Sequence, residues 1–142
     1  MLSLGVLVEG RPYVGLLPFA VNPDFSGAVV QASKLARHTV GLVAGAPFAA
    51  LICQNDRRDA DPLQLPRVTL QGTVRQLECG TAAWMEAQRL YLRRFLTSEQ
   101  TFSLGDFELY ELRFLGGRLV GGFARVTSVS PEMLTRLASP PR

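Results

Sequence analysis

The stretch AVVQASKLARHTVGLVAGAPFAALICQ, residues 28–54, decides how this chain is read. It opens on an apolar run around Val29 and Val30, crosses a polar patch from Gln31 to Thr39, and closes on a second apolar run from Phe48 to Ile52. Two runs of strand length with a short polar crossing predict strand, short helix, strand. Ser33 stands where a capping serine would, and the spacing predicts a helix from Lys34 to about Ala44, ended by Gly45-Ala46-Pro47. The segment FAALICQ is too uniformly apolar for an exposed edge and reads as a central strand.

The polar crossing carries the only lysine of the chain, Lys34, and its only histidine, His38. On a helix that begins at Ser33, positions 34, 37, 38 and 41 fall on one side, which groups Lys34, Arg37 and His38 beside Gly41. Leu35, Leu42 and Val43 would hold the opposite side to a sheet. A serine hydroxyl, free first-turn amides and a forked guanidinium are the groups that receive a phosphate. His38 can add one hydrogen bond near neutral pH without carrying full charge. Residue types and spacing alone favour an ordinary solvated basic face.

On the N-terminal side, LSLGVLV (2–8) and PYVGLLPFAV (12–21) have strand composition and are joined by a turn at Glu9-Gly10-Arg11. NPDFSG (22–27) is a turn cluster. On the C-terminal side, NDRRDADPLQLP (55–66) is a polar loop. RVTLQGTVRQLE (67–78) then alternates apolar and polar residues as a half-buried strand does, with Gly72 marking a bulge. From Thr81 to Leu96 a helical stripe of Trp84, Gln88, Tyr91 and Phe95 opposes Glu86, Arg89 and Arg93. FELYELRFLGGRLVGGFARVTSV (107–129) reads as two antiparallel strands turned at Gly116-Gly117. Ser130 and Pro131 open a last short helix. The sum is a mainly β single domain over 1–142: a six-stranded antiparallel barrel with one short and one longer helix.

Composition narrows the function. Apolar residues make up 47% and charged residues 19%, which describes a globular chain. The net charge of +3 comes from arginines scattered along the sequence, so no nucleic-acid partner is expected. Cys53 and Cys79 form no C-x-x-C pair and are expected to be buried thiols of a reducing compartment. No leader pattern is visible, and the uncharged run from Thr39 to Asn55 is broken by Gly41, Gly45 and Pro47. The expectation is a cytoplasmic protein without a membrane span. The lone histidine has no Cys or carboxylate three or four residues away, so no metal site is assigned. No G-x-S-x-G, P-loop or dinucleotide fingerprint occurs, and no residue is named as catalytic.

Taken in order, GRPYVGLLPFA, VVQASKLARHTVGLVAGAPFAALI, RVTLQGTVRQLE and FELYELRFLGGRLVGGFARVTSV resemble the pyridoxamine 5′-phosphate oxidase-like, FMN-binding split-barrel family. They look closest to its branch of heme-utilisation proteins. The S-x-L-A-x-H-T segment between strands is the most specific piece. The resemblance implies a six-stranded split barrel, a homodimer, and FMN at the subunit interface of a flavin-dependent oxidoreductase. It implies that Ser33, Arg37, His38 and Thr39 meet the FMN phosphate, that Gln31 and Ala32 lie along the flavin by their backbone, and that Arg67 approaches the ring or ribityl chain. Three positions depart from the pattern: Gly15 and Ala20 stand where tight FMN binders carry an arginine and a lysine, and Gly41 stands where many carry asparagine. The Trp-x-Arg ending of true pyridoxamine phosphate oxidases does not occur, so vitamin B6 oxidation is not expected. Two alternatives accompany the FMN reading: a heme-binding or heme-degrading protein with His38 as axial ligand, and a cofactor-free dimeric binding module.

Overall fold

A computed structural model describes residues 1–122 and 124–139. Eight strands form one antiparallel sheet: β1 Leu2–Val8, β2 Arg11–Leu17, β3 Phe19–Val21, β4 Gly27–Ser33, β5 Pro47–Cys53, β6 Arg67–Gln76, β7 Phe107–Val120 and β8 Val126–Val129. The spatial order is β2-β1-β5-β6-β7-β4-β3, with β8 added to β7. The two ends of this order, β2 and β3, are consecutive in the chain and separated only by Pro18. A sheet whose first and last strands are joined by one residue must curl on itself. The expected single strand over 12–21 is therefore two strands, because Pro18 has no N–H for a ladder and breaks the run.

Alternate residues of the strands fill the interior. Leu2, Leu4, Val6 and Val8 of β1 meet Ala28, Val30 and Ala32 of β4, Phe48 and Ala50 of β5, Leu70 and Val74 of β6, and Leu112 and Phe114 of β7. The β1–β2 turn uses Glu9 and Gly10, both at positive φ (52° and 72°), the conformation that suits the twist of a two-residue hairpin. The register of β6 against β7 shifts between Gln71 and Gly72, where a bulge is expected from the glycine. A Cβ on Gly72 would lie 1.6 Å from the Arg113 carbonyl oxygen.

Two corrections concern the C-terminal half and the thiols. The expected turn at Gly116-Gly117 is absent: β7 runs straight through both, and the chain reverses beyond Val120 into β8. Neither glycine is among those at positive φ. Gly117 serves close approach instead, since a Cβ there would sit 2.2 Å from the Thr69 carbonyl oxygen. The first half of β7 pairs with β4 and its second half with β8, so two strands share one edge. Cys53 and Cys79 are both exposed: Cys53 is the last residue of β5, and Cys79 lies in the loop before the long helix.

Three α-helices accompany the sheet: α1 Ala82–Arg94, α2 Glu99–Phe102 and α3 Pro131–Ala138. The Thr81 hydroxyl caps α1 by accepting from the Trp84 amide, and Ser130 caps α3 by accepting from the Met133 amide, each satisfying one orphan donor of the first turn. Ala87 and Tyr91 of α1 are buried with Ala20, Val29, Leu77 and Leu109 on the outer side of β3, β4 and β7. Tyr91 also meets Phe95 and Phe102 in tilted and edge-to-face contacts, so the predicted stripe is core. Leu96, the expected end of this helix, lies beyond α1 and is exposed. On the exposed side Glu86 accepts from Arg89.

Candidate functional site

The crossing after β4 is not the expected helix from Lys34 to Ala44. The chain turns over Lys34–Ala36 and then makes one 3₁₀ segment, Arg37–Gly41. Thr39 and Val40 are β-branched and disfavour a longer helix. Gly41 packs so closely on β1 that a Cβ would lie 2.7 Å from the Leu7 carbonyl oxygen. Of the three residues expected to hold this segment to the sheet, only Leu42 is buried; Leu35 and Val43 are exposed. Ser33 does not cap the 3₁₀ segment, whose N-cap position is Ala36 without a side-chain bond. Its hydroxyl instead accepts from the Leu35 amide and donates to Asp106 at 3.3 Å.

This geometry divides the basic side predicted from helical spacing. Lys34 turns toward the start of β7 and pairs with Glu108 at 3.1 Å. Arg37 turns toward the β1–β2 hairpin and pairs with Glu9 at 3.3 Å. His38 lies against β2 at Gly15, where a Cβ would meet its Nδ1 at 2.6 Å. Gly15 is thus the opening that admits the imidazole, and an arginine at this position would displace it. Partial burial holds the His38 imidazole below the usual histidine range, so the ring is neutral at pH 7. The Thr39 hydroxyl donates to the Ser33 carbonyl at 2.6 Å, and the Ala36 amide donates to the same oxygen at 3.1 Å. Ser33 and Thr39 therefore shape the corner, with their hydroxyl protons on internal acceptors.

Gln31 and Ala32 precede this corner on β4, both buried. The β3–β4 ladder ends at Phe19 opposite Val30. The next pair would set Pro18 against Gln31, and proline has no N–H to donate. Among the described residues the edge of β4 from Gln31 to Ser33 is consequently without a strand partner on that side. The Gln31 side chain points away from the corner, and its Oε1 lies 2.6 Å from the Thr101 hydroxyl.

The structure brings Gln31, Ala32, Ser33, Arg37, His38 and Thr39 into one corner, as their closeness in sequence requires. Arg67 is not there. Ser33 pairs with Phe107 at one end of β7, and Arg67 with Val120 at the other, roughly 40 Å of strand away at ~3.3 Å per residue. Its Nη1 donates to the Leu65 carbonyl at 3.1 Å. The groups that sequence reading missed are the acids: Glu9, Asp106 and Glu108 each hold one member of the corner. Glu9 reads locally as a turn residue, and only the fold carries Asp106 and Glu108 to β4. Among the described residues no group of three His, Cys, Asp or Glu is placed to hold a metal ion, and no helix is long and apolar enough to cross a membrane.

No family model matches the chain, and no curated protein matches it. Solved structures do. A heme binding protein from Mycobacterium smegmatis superposes with a TM-score of 0.82 at 24% identity, covering 95% of this chain and 54% of that one. The heme storage protein HutZ from Vibrio cholerae gives 0.70 at 22% identity, covering 90% and 84%. An FAD and heme binding protein from M. smegmatis gives 0.59 at 16%, covering 91% and 64%.

The chain is a split barrel. It spans about half the length of the first of these proteins. The split barrel here has eight strands where six were expected, and one of the additions comes from Pro18, which divides the predicted strand over 12–21 into β2 and β3. Its two open features, the unpaired edge of β4 and the Arg37–His38 corner, lie side by side at one end of the barrel.

Proposed function

We propose that this split barrel is a cofactor-binding protein that holds FMN at its β4 corner, as a homodimer. The observation that carries the reading is the unpaired edge of β4 at Gln31–Ser33, set directly beside Arg37 and His38. A flavin presents a planar edge of alternating carbonyl and N–H groups, which suits an open strand edge, and its phosphate suits an arginine. The Arg37–Glu9 pair is exposed on both sides, so it is worth little and yields readily to a dianion. When bound, FMN would supply the redox chemistry of an oxidoreductase. The chain's own residues would orient it: Gln31 and Ala32 by backbone, Ser33 and Thr39 by shaping the turn, Arg37 by charge.

The homodimer would rest on the outer side of β2, β1 and β5, which no helix among the described residues covers. Val14, Leu16, Leu7 and Leu51 are exposed there around Gly5 and Ala49. Small residues at the centre let a second sheet approach closely. Arg67, remote within one chain, would meet a cofactor on the corner only from a partner subunit.

A second reading is favoured by His38. A neutral, half-buried imidazole with one nitrogen against Gly15 is in the protonation state that ligates iron, and the solved structures named above are those of heme binding and heme storage proteins. In that reading Arg37 serves a carboxylate of the tetrapyrrole and His38 is the axial ligand.

Visible absorption of the purified protein after addition of FMN or hemin, followed by gel filtration, tests both. Retained flavin bands weakened by Arg37→Ala support FMN. A retained Soret band lost in His38→Ala supports heme. Retention of neither leaves the cofactor-free dimeric binding module.

A further inference from the structure

A cavity of about 790 Å³ opens on the other side of Lys34, away from the Arg37–His38 corner. It lies where β6 leaves the sheet: the last bond of that pairing is Leu77 amide to Leu109 carbonyl, and beyond it β7 has no partner on the β6 side. The loop into α1 and the segment after α2 form the remaining walls. Trp84, Phe102, Phe107 and Tyr110 line it, with Trp84 and Phe102 edge to face at 6.1 Å. This volume lies within the range of small-molecule sites, which are mostly apolar with a few placed polar groups.

The placed polar group is Glu108. Its Oε2 accepts from the buried Tyr110 hydroxyl at 2.9 Å, and its Oε1 faces the Lys34 ammonium at 3.1 Å. The same ammonium reaches the Gly105 carbonyl oxygen at 3.4 Å. A carboxylate anchored from inside and a backbone carbonyl thus converge on one ammonium position at the rim of an aromatic cavity. The Tyr110 hydrogen bond, then Lys34, keep the Glu108 carboxyl below its ordinary range, so the charge is present at neutral pH. Lys34 is about half exposed and can swing into solvent.

We propose that this cavity binds an aromatic primary amine, whose ammonium replaces that of Lys34 between Glu108 and the Gly105 carbonyl while its ring lies among Trp84, Phe102 and Phe107. Aromatic walls favour a cation near their faces as well as apolar bulk. The site is independent of any cofactor on the β4 corner.

Trp84 is the single tryptophan of the chain, so its fluorescence reports on the cavity directly. Phenethylamine should change that emission saturably, and 3-phenylpropionate, of similar size and opposite charge, should not. Glu108→Gln should weaken phenethylamine by at least about tenfold, the size of a lost charge-assisted hydrogen bond. Lys34→Met should tighten it several-fold by removing the competing ammonium, an effect that survives even if Glu108→Gln folds poorly. Absence of a saturable change, equal binding of the carboxylate, or weaker amine binding in Lys34→Met would each overturn the proposal.

Discussion

The outer surface of the sheet carries two apolar patches of similar chemistry and opposite fate. On β3, β4 and β7, Ala20, Val29 and Leu109 are buried because α1 lies across them with Ala87 and Tyr91. On β2, β1 and β5, Val14 is 67% exposed, Leu16 64% and Leu7 49%, with no helix of the described residues above. Strands with both faces apolar need two covers, and the chain provides one. The contrast separates a patch the monomer needs in order to fold from one that the proposed homodimer would use, and it can be attacked from either side.

The largest expected effect lies under the helix. Tyr91 is 1% exposed and touches two aromatic rings. Tyr91→Ala should cost about 3–5 kcal/mol, as aromatic truncation in a packed core does, read from urea unfolding. A loss below ~1 kcal/mol would mean that α1 rests on the sheet without sealing it. The bare patch should behave in the opposite way. Val14→Glu combined with Leu16→Glu should leave the monomer within about 0.5 kcal/mol of its stability. In sedimentation the same variant should weaken self-association by at least ~30-fold, a typical cost of spoiling an interface centre. If it unfolds the chain as Tyr91→Ala does, the two patches are not different in kind. If it unfolds nothing and association is unchanged, the proposed homodimer does not use this patch.

Legibility in the sequence follows the same division between local and remote causes. The β1–β2 turn, the alternation and bulge of β6, the stripe of α1 and the Ser130–Pro131 start of α3 are encoded within a few residues each, and the fold agrees with them. Gly116-Gly117 misleads because a glycine pair serves a turn or a close approach equally well, and the decisive neighbour, the Thr69 carbonyl, is about 50 residues away. Pro18 misleads because its meaning depends on which strands end the sheet. For the candidate site, adjacency of Ser33, Arg37, His38 and Thr39 is legible since they are contiguous. The direction each one faces is not, because Glu9 and Glu108 pull the basic residues apart and Gly15 admits the imidazole.

Smaller effects belong to the seam where β2 meets the 3₁₀ segment. Arg37→Ala should change stability by less than about 1 kcal/mol, since its pair with Glu9 is exposed and such pairs contribute little. A larger loss in thermal unfolding would mean that the pair pins the hairpin to the corner, making the seam part of the sealed region.

His38 supplies the finest test of that seam, through pH. Its folded-state pKa is lowered from 6.5 by burial, so the unfolded chain takes up a proton on His38 more readily than the folded one. Stability therefore rises with pH across this window: the contribution is present above about 6.5, is lost as pH falls toward the folded value, and levels off below it. His38→Gln removes the titration. The stability of the native chain relative to this variant, from urea unfolding at pH 7.5, 6.5 and 5.5, should decline steadily. A difference that grows on acidification would mean that a carboxylate such as Glu9 holds the charged ring. The imidazole would then be a cation of the corner, better suited to a phosphate than to iron. A decline keeps it a neutral ring against Gly15, and that leaves Arg37 as the charge that would meet an anion in the proposed site.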